Sequence, residues 1–223
     1  MDLEGFSRSI GYRFNDADLL LRALTHSSYS ATHNERLEFL GDSVVNCAIA
    51  VELYRRFPQL PEGALSRLRA SIVSQPALAA IAQANRIGSH LLLGEGERKS
   101  GGSRRPSMLA DALEAIVGAA FLDGGFDGAH AVVRCLFGSV LEKIDPLTAG
   151  KDAKTLLQEY LHSRRLPLPR YSVVAVRGEA HEQLFHVACE IPDLDISSQG
   201  EGSTRRSAEQ EAARAAYERA VAT

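Results

Sequence analysis

Apolar residues recur at three- and four-residue spacing through residues 16–24, 34–56, 64–86, 107–122 and 127–143, with no convincing run of strict alternation among them. That period sets one face of a helix toward a core, so this part of the chain reads as all-α. At residues 145–150 (DPLTAG) the pattern stops, and Pro and Gly punctuate the chain before a fresh helix start. Beyond it the period changes. A helix at about 152–163 is followed by strands at 171–176 and 184–191, a weaker third strand near 194–201, and an Ala-rich helix from about 204 to 221. This order, α-β-β-β-α, makes a three-stranded antiparallel sheet backed by two helices. The expectation is a multidomain chain: an all-α domain over residues 1–145, a linker at 146–151, and an α+β domain over 152–223.

Composition narrows the function classes. No stretch approaches the roughly 20 apolar residues of a membrane span, and the start, with Asp2 and Glu4, lacks the basic and apolar segments of an export signal. A cytoplasmic protein is expected. Cys47, Cys135 and Cys189 stand far apart and form no CxxC pair, which excludes a disulfide framework and a zinc knuckle. The net charge is −3, and neither part of the chain is basic overall: residues 1–150 carry 15 Lys and Arg against 17 Asp and Glu, and residues 151–223 carry 10 against 11. Any phosphate-binding surface must therefore be local, and Arg98-Lys99, Arg104-Arg105, Arg164-Arg165 and Arg205-Arg206 are the basic clusters available.

Two helical segments carry acids where a core-facing helix should have none. Glu38 and Asp42 lie four apart in NERLEFLGDSVV, and Asp111 and Glu114 lie three apart in MLADALEAIVGAA. Each spacing stacks two carboxylates on one helix face. Carboxylates among apolar residues are costly unless paired or bound to a cation. Arg36, Arg67 and Arg69 could serve as ion-pair partners. Two such helices in one domain favour a cation instead, and an all-oxygen donor set favours a hard one, Mg²⁺ with Mn²⁺ as a substitute. Such a site can activate water for attack on a phosphodiester. No GxSxG elbow accompanies His26, Ser27, Ser28 and His33, and the Gly-rich stretch 94–102 lacks the GKS or GKT ending of a phosphate-binding loop.

The run NERLEFLGDS, with EGALSRLRA (62–70), GEGERKSGG (94–102) and MLADALEAIVGAAFLDGG (108–125), resembles the ribonuclease III family over nearly the whole chain. The resemblance implies a metal-dependent endonuclease that cuts double-stranded RNA, leaving 5′ phosphates and short 3′ overhangs. It places Glu38, Asp42, Asp111 and Glu114 at metal-ligand and catalytic positions, with Asp42 and Glu114 the most critical. It also implies an accessory acidic rim at Glu35 and Glu62, a homodimer with Phe39 as an interface knob, and roles in rRNA precursor processing and mRNA turnover. A non-catalytic duplex-RNA binder and a hydrolase of small phosphate esters are the rival readings.

The second domain resembles a double-stranded-RNA-binding domain in three places. Thr155, Gln158 and Glu159 on the first helix match minor-groove positions, where duplex RNA offers 2′-hydroxyls and base edges. His181, in the turn after the first strand, matches the second contact. Ser203, Thr204, Arg205 and Arg206 open the last helix, whose N–H groups and cations can meet phosphates. Relatives often carry a basic residue where Glu209 stands and Gly-Pro where Glu179-Ala180 stand, and both departures imply a weaker grip.

Overall fold

The computed structural model describes residues 2–146, 150–179 and 183–222, and they divide into two compact units, Met1–Gly150 and Lys151–Thr223. The first is helical: α1 (Leu3–Ser9), α2 (Ala17–Ala23), α3 (Glu35–Arg56), α4 (Glu62–Ile72), α5 (Gln75–Ala84), α6 (Glu95–Lys99) and α7 (Pro106–Lys143). Asp2 and Asp16 start the first two helices by accepting the backbone N–H of Gly5 at 2.8 Å and Asp18 at 2.9 Å. At the centre lies α7, apolar on every side over residues 115–120, and α2, α3 and α5 pack around it. Leu37, Val45, Ile49 and Leu53 of α3 share its core with Leu113 and Ile116 of α7 and Leu78 and Ile81 of α5.

The continuous apolar run over 64–86 folds as two helices, not one. Ser74 is extended (φ −65°, ψ 145°) and Pro76 sits in the first turn of α5. Proline has no N–H and its ring blocks the preceding turn, so a helix can start there but cannot run through it. Within α7 the helix breaks at Gly124 and at Gly125, where φ is 64°. Asp123 pins the break by accepting hydrogen bonds from the Tyr12 hydroxyl (2.7 Å) and the backbone N–H groups of Asn15 (2.8 Å) and Asp16 (2.9 Å).

The second unit runs α8 (Ala153–Ser163), β1 (Arg170–Arg177), β2 (Leu184–Ile191), β3 (Ile196–Gly202) and α9 (Arg205–Ala222). The sheet is antiparallel in the order β1-β2-β3, with Val176 opposite Phe185 and Ile191 opposite Ile196. Its core joins Leu157 and Leu161 of α8 to Cys189 and Ile191 of β2 and to Ala212, Ala213 and Ala216 of α9. Small residues on α9 let that helix lie close on the sheet. Asp152 caps α8 through the Thr155 N–H (2.8 Å), and Thr204 and Ser207 cap α9 reciprocally, each side-chain oxygen accepting the other's N–H at 3.1 Å. Among the described residues no helix is long and apolar enough to cross a membrane.

Candidate active site

Helix α3 begins beside Asn34, whose carbonyl accepts the N–H of Leu37 (2.8 Å) and Glu38 (2.9 Å) and whose own N–H reaches Thr25 O (2.9 Å). The first turn is thereby fixed. One turn on, α3 crosses α7 at two glycines. A Cβ at Gly41 would lie 1.8 Å from the Glu114 carbonyl oxygen, and one at Gly118 would lie 2.2 Å from that of Leu37. Backbone meets backbone here, a distance no side chain permits. The crossing brings a carboxylate oxygen of each of Glu38, Asp111 and Glu114 within 4.8 Å of one another.

Among the described residues none of these acids has an Arg or Lys partner, so Arg36, Arg67 and Arg69 do not neutralise them. The electrostatics show the strain. Burial pushes the Glu38 carboxyl up, and Asp111, Glu35 and Asp42 push it further. Asp111 is raised by burial, against the opposing influence of His26. Glu114 is raised to about 7 by burial, then by the charges of Asp42, Glu38 and Asp111. Converging anions with no Arg or Lys paired to them among the described residues suit a hard cation, and the oxygen-only donor set matches one.

Asp42 stands apart from the three. It is exposed, and its Oδ1 accepts from the Asn46 amide at 3.0 Å, yet its charge acts on Glu114. Glu35 lies on the edge of the same cleft, about 280 Å³, which Glu38, Asp111, Asn34 and His26 also line. Its carboxylate is 3.9 Å from His33 Nδ1. Glu62 is not with them in this chain. It accepts from Ser66 Oγ at 2.7 Å in the first turn of α4 and lines a separate groove with Cys47 and Tyr54. Phe39 is 82% exposed.

Sequence reasoning missed Gly41, Gly118 and His26. A glycine inside a helix reads as a weak helix former until its neighbour is known. His26 read as a loop residue, but it lines the cleft, with its Nδ1 2.8 Å from Ser28 Oγ and accepting the Ser28 N–H at 3.1 Å.

In the second unit Gln158 and Glu159 are exposed on α8 and Thr155 is half-buried in its first turn. Glu159 pairs with Lys151 at 2.5 Å. Ser203, Thr204, Arg205 and Arg206 are exposed at the start of α9, and Arg205 Nε donates to Glu209 at 2.8 Å. His181 lies outside the described residues.

The raised Glu114 carboxyl has a pH signature. Its proton must leave before the oxygen can bind a cation, so binding releases protons below about pH 7. Apparent Mn²⁺ affinity, measured by calorimetry, is expected to rise roughly tenfold per pH unit up to about pH 7 and then level off. Because the folded-state value lies above the ordinary one, this group's stabilisation of the metal-free fold is present at low pH and is lost as pH rises through about 7. The thermal shift on adding Mn²⁺ should therefore grow over the same window. Affinity that is flat from pH 5.5 to 7.5 would contradict this account.

Comparison with known proteins follows the two units. A family model described as Ribonuclease-III-like matches residues 16–140, and one described as Double-stranded RNA binding motif matches residues 153–219. A protein named Ribonuclease 3 from Ralstonia nicotianae is 58% identical over 220 residues, spanning 99% of this chain and 86% of that protein. Its namesake from Thiobacillus denitrificans is 60% identical over 209 residues, spanning 94% and 92%. The crystal structure of the nuclease domain of ribonuclease III from Campylobacter jejuni superposes with a TM-score of 0.60 at 40% identity, covering 64% of this chain and 97% of that one. A second structure of that domain, described for structural flexibility in a region involved in dimer formation, gives 0.58 at 40% identity over 61% of this chain and 96% of that one.

Proposed function

The chain belongs to the ribonuclease III family and is an endoribonuclease of double-stranded RNA, and on that premise we propose how its residues divide the work. Glu38, Asp111 and Glu114 hold a divalent cation, Mg²⁺ with Mn²⁺ as a substitute, and Asp42 completes the acidic set from the next turn of α3. The observation that carries this reading is the convergence of three carboxylate oxygens from two helices within 4.8 Å, with no Arg or Lys ion pair to them among the described residues. Such a cation, when bound, supplies Lewis acidity toward water and phosphate. The protein's own part is to keep the carboxylates rigid through the Gly41–Gly118 crossing and to keep the cleft polar enough to admit a phosphodiester. Water oxygen bonds to phosphorus, the bond to the 3′ oxygen breaks, and the products carry a 5′ phosphate and a 3′ hydroxyl. Glu35 forms an accessory acidic edge of this cleft, without Glu62 of the same chain.

We also propose a homodimer whose two sites cut opposite strands and leave short 3′ overhangs. Phe39 supports it, since a phenyl ring 82% exposed on a long helix is a poor fit to water. A groove of about 530 Å³ beside Cys47, Ala50, Val51 and Tyr54 of the same helix and Leu65 of α4 can take such a ring from a partner. Self-complementary placement of knob and groove on one helix is what two-fold pairing needs. Thr155, Gln158, Glu159, His181 and the start of α9 address the RNA duplex. The proposed setting is the cytoplasm, with rRNA precursors and messengers as substrates.

Incubating the protein with duplex RNA, single-stranded RNA and duplex DNA, each with and without Mg²⁺, tests the reading. Cleavage of duplex RNA alone, and only with Mg²⁺, is expected. A duplex-RNA binder would shift the RNA without cutting it, and a small-ester hydrolase would leave it intact while attacking a chromogenic phosphate ester. Residues 1–146 alone should still form a dimer and cleave duplex RNA at low salt, because the carboxylates, Phe39 and the groove all lie within them. An intact dimer of this fragment with no cleavage would refute that division.

A further inference from the structure

Three cations gather where α8 and α9 begin, yet they are not equally available. Glu209, whose side chain is only 13% exposed, spans two of them: Oε2 is 2.7 Å from Lys154 Nζ and Oε1 is 2.8 Å from Arg205 Nε. Lys154 is held a second time, with its ammonium 4.4 Å from the centroid of the Tyr171 ring, and its backbone N–H donates to Gln210 Oε1 at 3.3 Å. Arg206 is in no ion pair among the described residues, though it lies close enough to Asp152 to lower that carboxyl. Lys154, Arg205 and Arg206 are thus set against Asp152 and Glu209, leaving one net positive charge among these five groups at the start of α9.

From this arrangement we infer that Glu209 sets the strength of RNA binding, by occupying Arg205 and Lys154 and by placing a fixed negative charge beside the phosphate-facing start of α9. The inference rests on the reading, given above, that this end of the domain meets duplex RNA. A phosphate that engages Arg205 must displace the Glu209 carboxylate or share the guanidinium with it, and it approaches against the repulsion of that carboxylate. Arg206 has no ion pair to break among the described residues, only the more distant charge of Asp152. The two adjacent arginines therefore contribute unequally, although both lie within helical reach of Glu209, four and three residues away. Lys154 stays with Glu209 and the Tyr171 ring, so the carboxylate keeps one partner whichever way Arg205 turns.

Glu209→Gln keeps the shape and removes the charge. Binding of the full-length protein to a duplex of about 16 base pairs, in EDTA so that no cleavage occurs, should be measured across a salt series. Glu209→Gln is expected to tighten binding roughly tenfold at low salt and to steepen the slope of log K against log salt by about one, as one more phosphate is neutralised. Arg206→Ala should weaken binding and make the slope shallower by about one. Arg205→Ala alone should weaken binding clearly less than Arg206→Ala does, and in the Glu209→Gln background its effect should grow and remove the gain. A purely structural Glu209 would give the opposite sign, since losing a tie between α8 and α9 loosens the domain and its grip. Unchanged or weaker binding by Glu209→Gln, with the Arg206 effect intact, would overturn the inference and leave the RNA surface standing. Loss of affinity in Arg205→Ala equal to that in Arg206→Ala would overturn it even if Glu209→Gln fails to fold. No effect from any of the four would instead refute the assignment of this surface to RNA.

Discussion

Glu114→Gln is expected to abolish duplex-RNA cleavage while leaving RNA affinity within about twofold. Glutamine preserves the size of the side chain but removes the negative charge that a hard cation requires. A metal's share of transition-state charge stabilisation is worth several kcal/mol, so the cleavage rate should fall by on the order of 10³. The affinity should survive because the proposed RNA-binding residues lie in the other compact unit, Lys151–Thr223. High Mn²⁺ should restore part of the rate, since the carboxylates of Glu38 and Asp111 remain. A second consequence separates this account from an ion-pair role. Glu114 is crowded by Asp42, Glu38 and Asp111, so the neutral variant should be more stable than the wild type without metal at pH 8, and its metal affinity should lose most of its pH dependence. Dimer mass, RNA affinity in Ca²⁺, cleavage in Mg²⁺ and thermal unfolding on one preparation decide the matter. Near-normal cleavage, or a fold weakened at pH 8, would overturn the assignment of Glu114 as a ligand.

Gly41→Ala is expected to disable the site without touching any acid. The added methyl would lie 1.8 Å from the Glu114 carbonyl oxygen, and backbone, unlike the end of a side chain, cannot swing aside. Overpacking a core usually costs about 1–3 kcal/mol, and this contact lies between two main chains, so the upper end or beyond is expected. The helices must part by an ångström or more, and carboxylates on opposite sides of the crossing part with them. Mn²⁺ affinity and cleavage should both collapse, including in whatever fraction stays folded. Gly138→Ala supplies the control, because a Cβ there meets nothing within 4 Å, and replacing a helical glycine should stabilise by about 0.5–1 kcal/mol. Wild-type metal affinity in Gly41→Ala would show that the close crossing does not hold the site.

Much of this architecture is written in periodicity, which survives without any knowledge of partners. Helices α2, α3, α4, α5 and α7 of the first unit, the change to α-β-β-β-α after residue 150 and the anomaly of acids at 38, 42, 111 and 114 all follow from which positions along the chain are apolar, since that periodicity is local. The short α1 and α6 carry too few apolar residues to show it. The all-α unit with its α+β companion is borne out by the family matches and by the solved nuclease domain. Local pattern also erred locally: the apolar run over 64–86 concealed the break at Ser74, where the proline's backbone chemistry outweighed its apolar neighbours.

Tertiary packing decided the rest. Spacing stacks Glu38 with Asp42 and Asp111 with Glu114, but only the crossing of α3 and α7 selects Glu38, Asp111 and Glu114 as the converging three and turns Asp42 toward solvent and Asn46. The close approach that does so depends on the missing side chains of Gly41 and Gly118, and a missing side chain has no hydropathy to read. Arg205 and Arg206 lie four and three residues from Glu209, both within helical reach, and only the fold pairs the acid with Arg205 and adds Lys154 from another helix, a partner that no spacing along the chain announces.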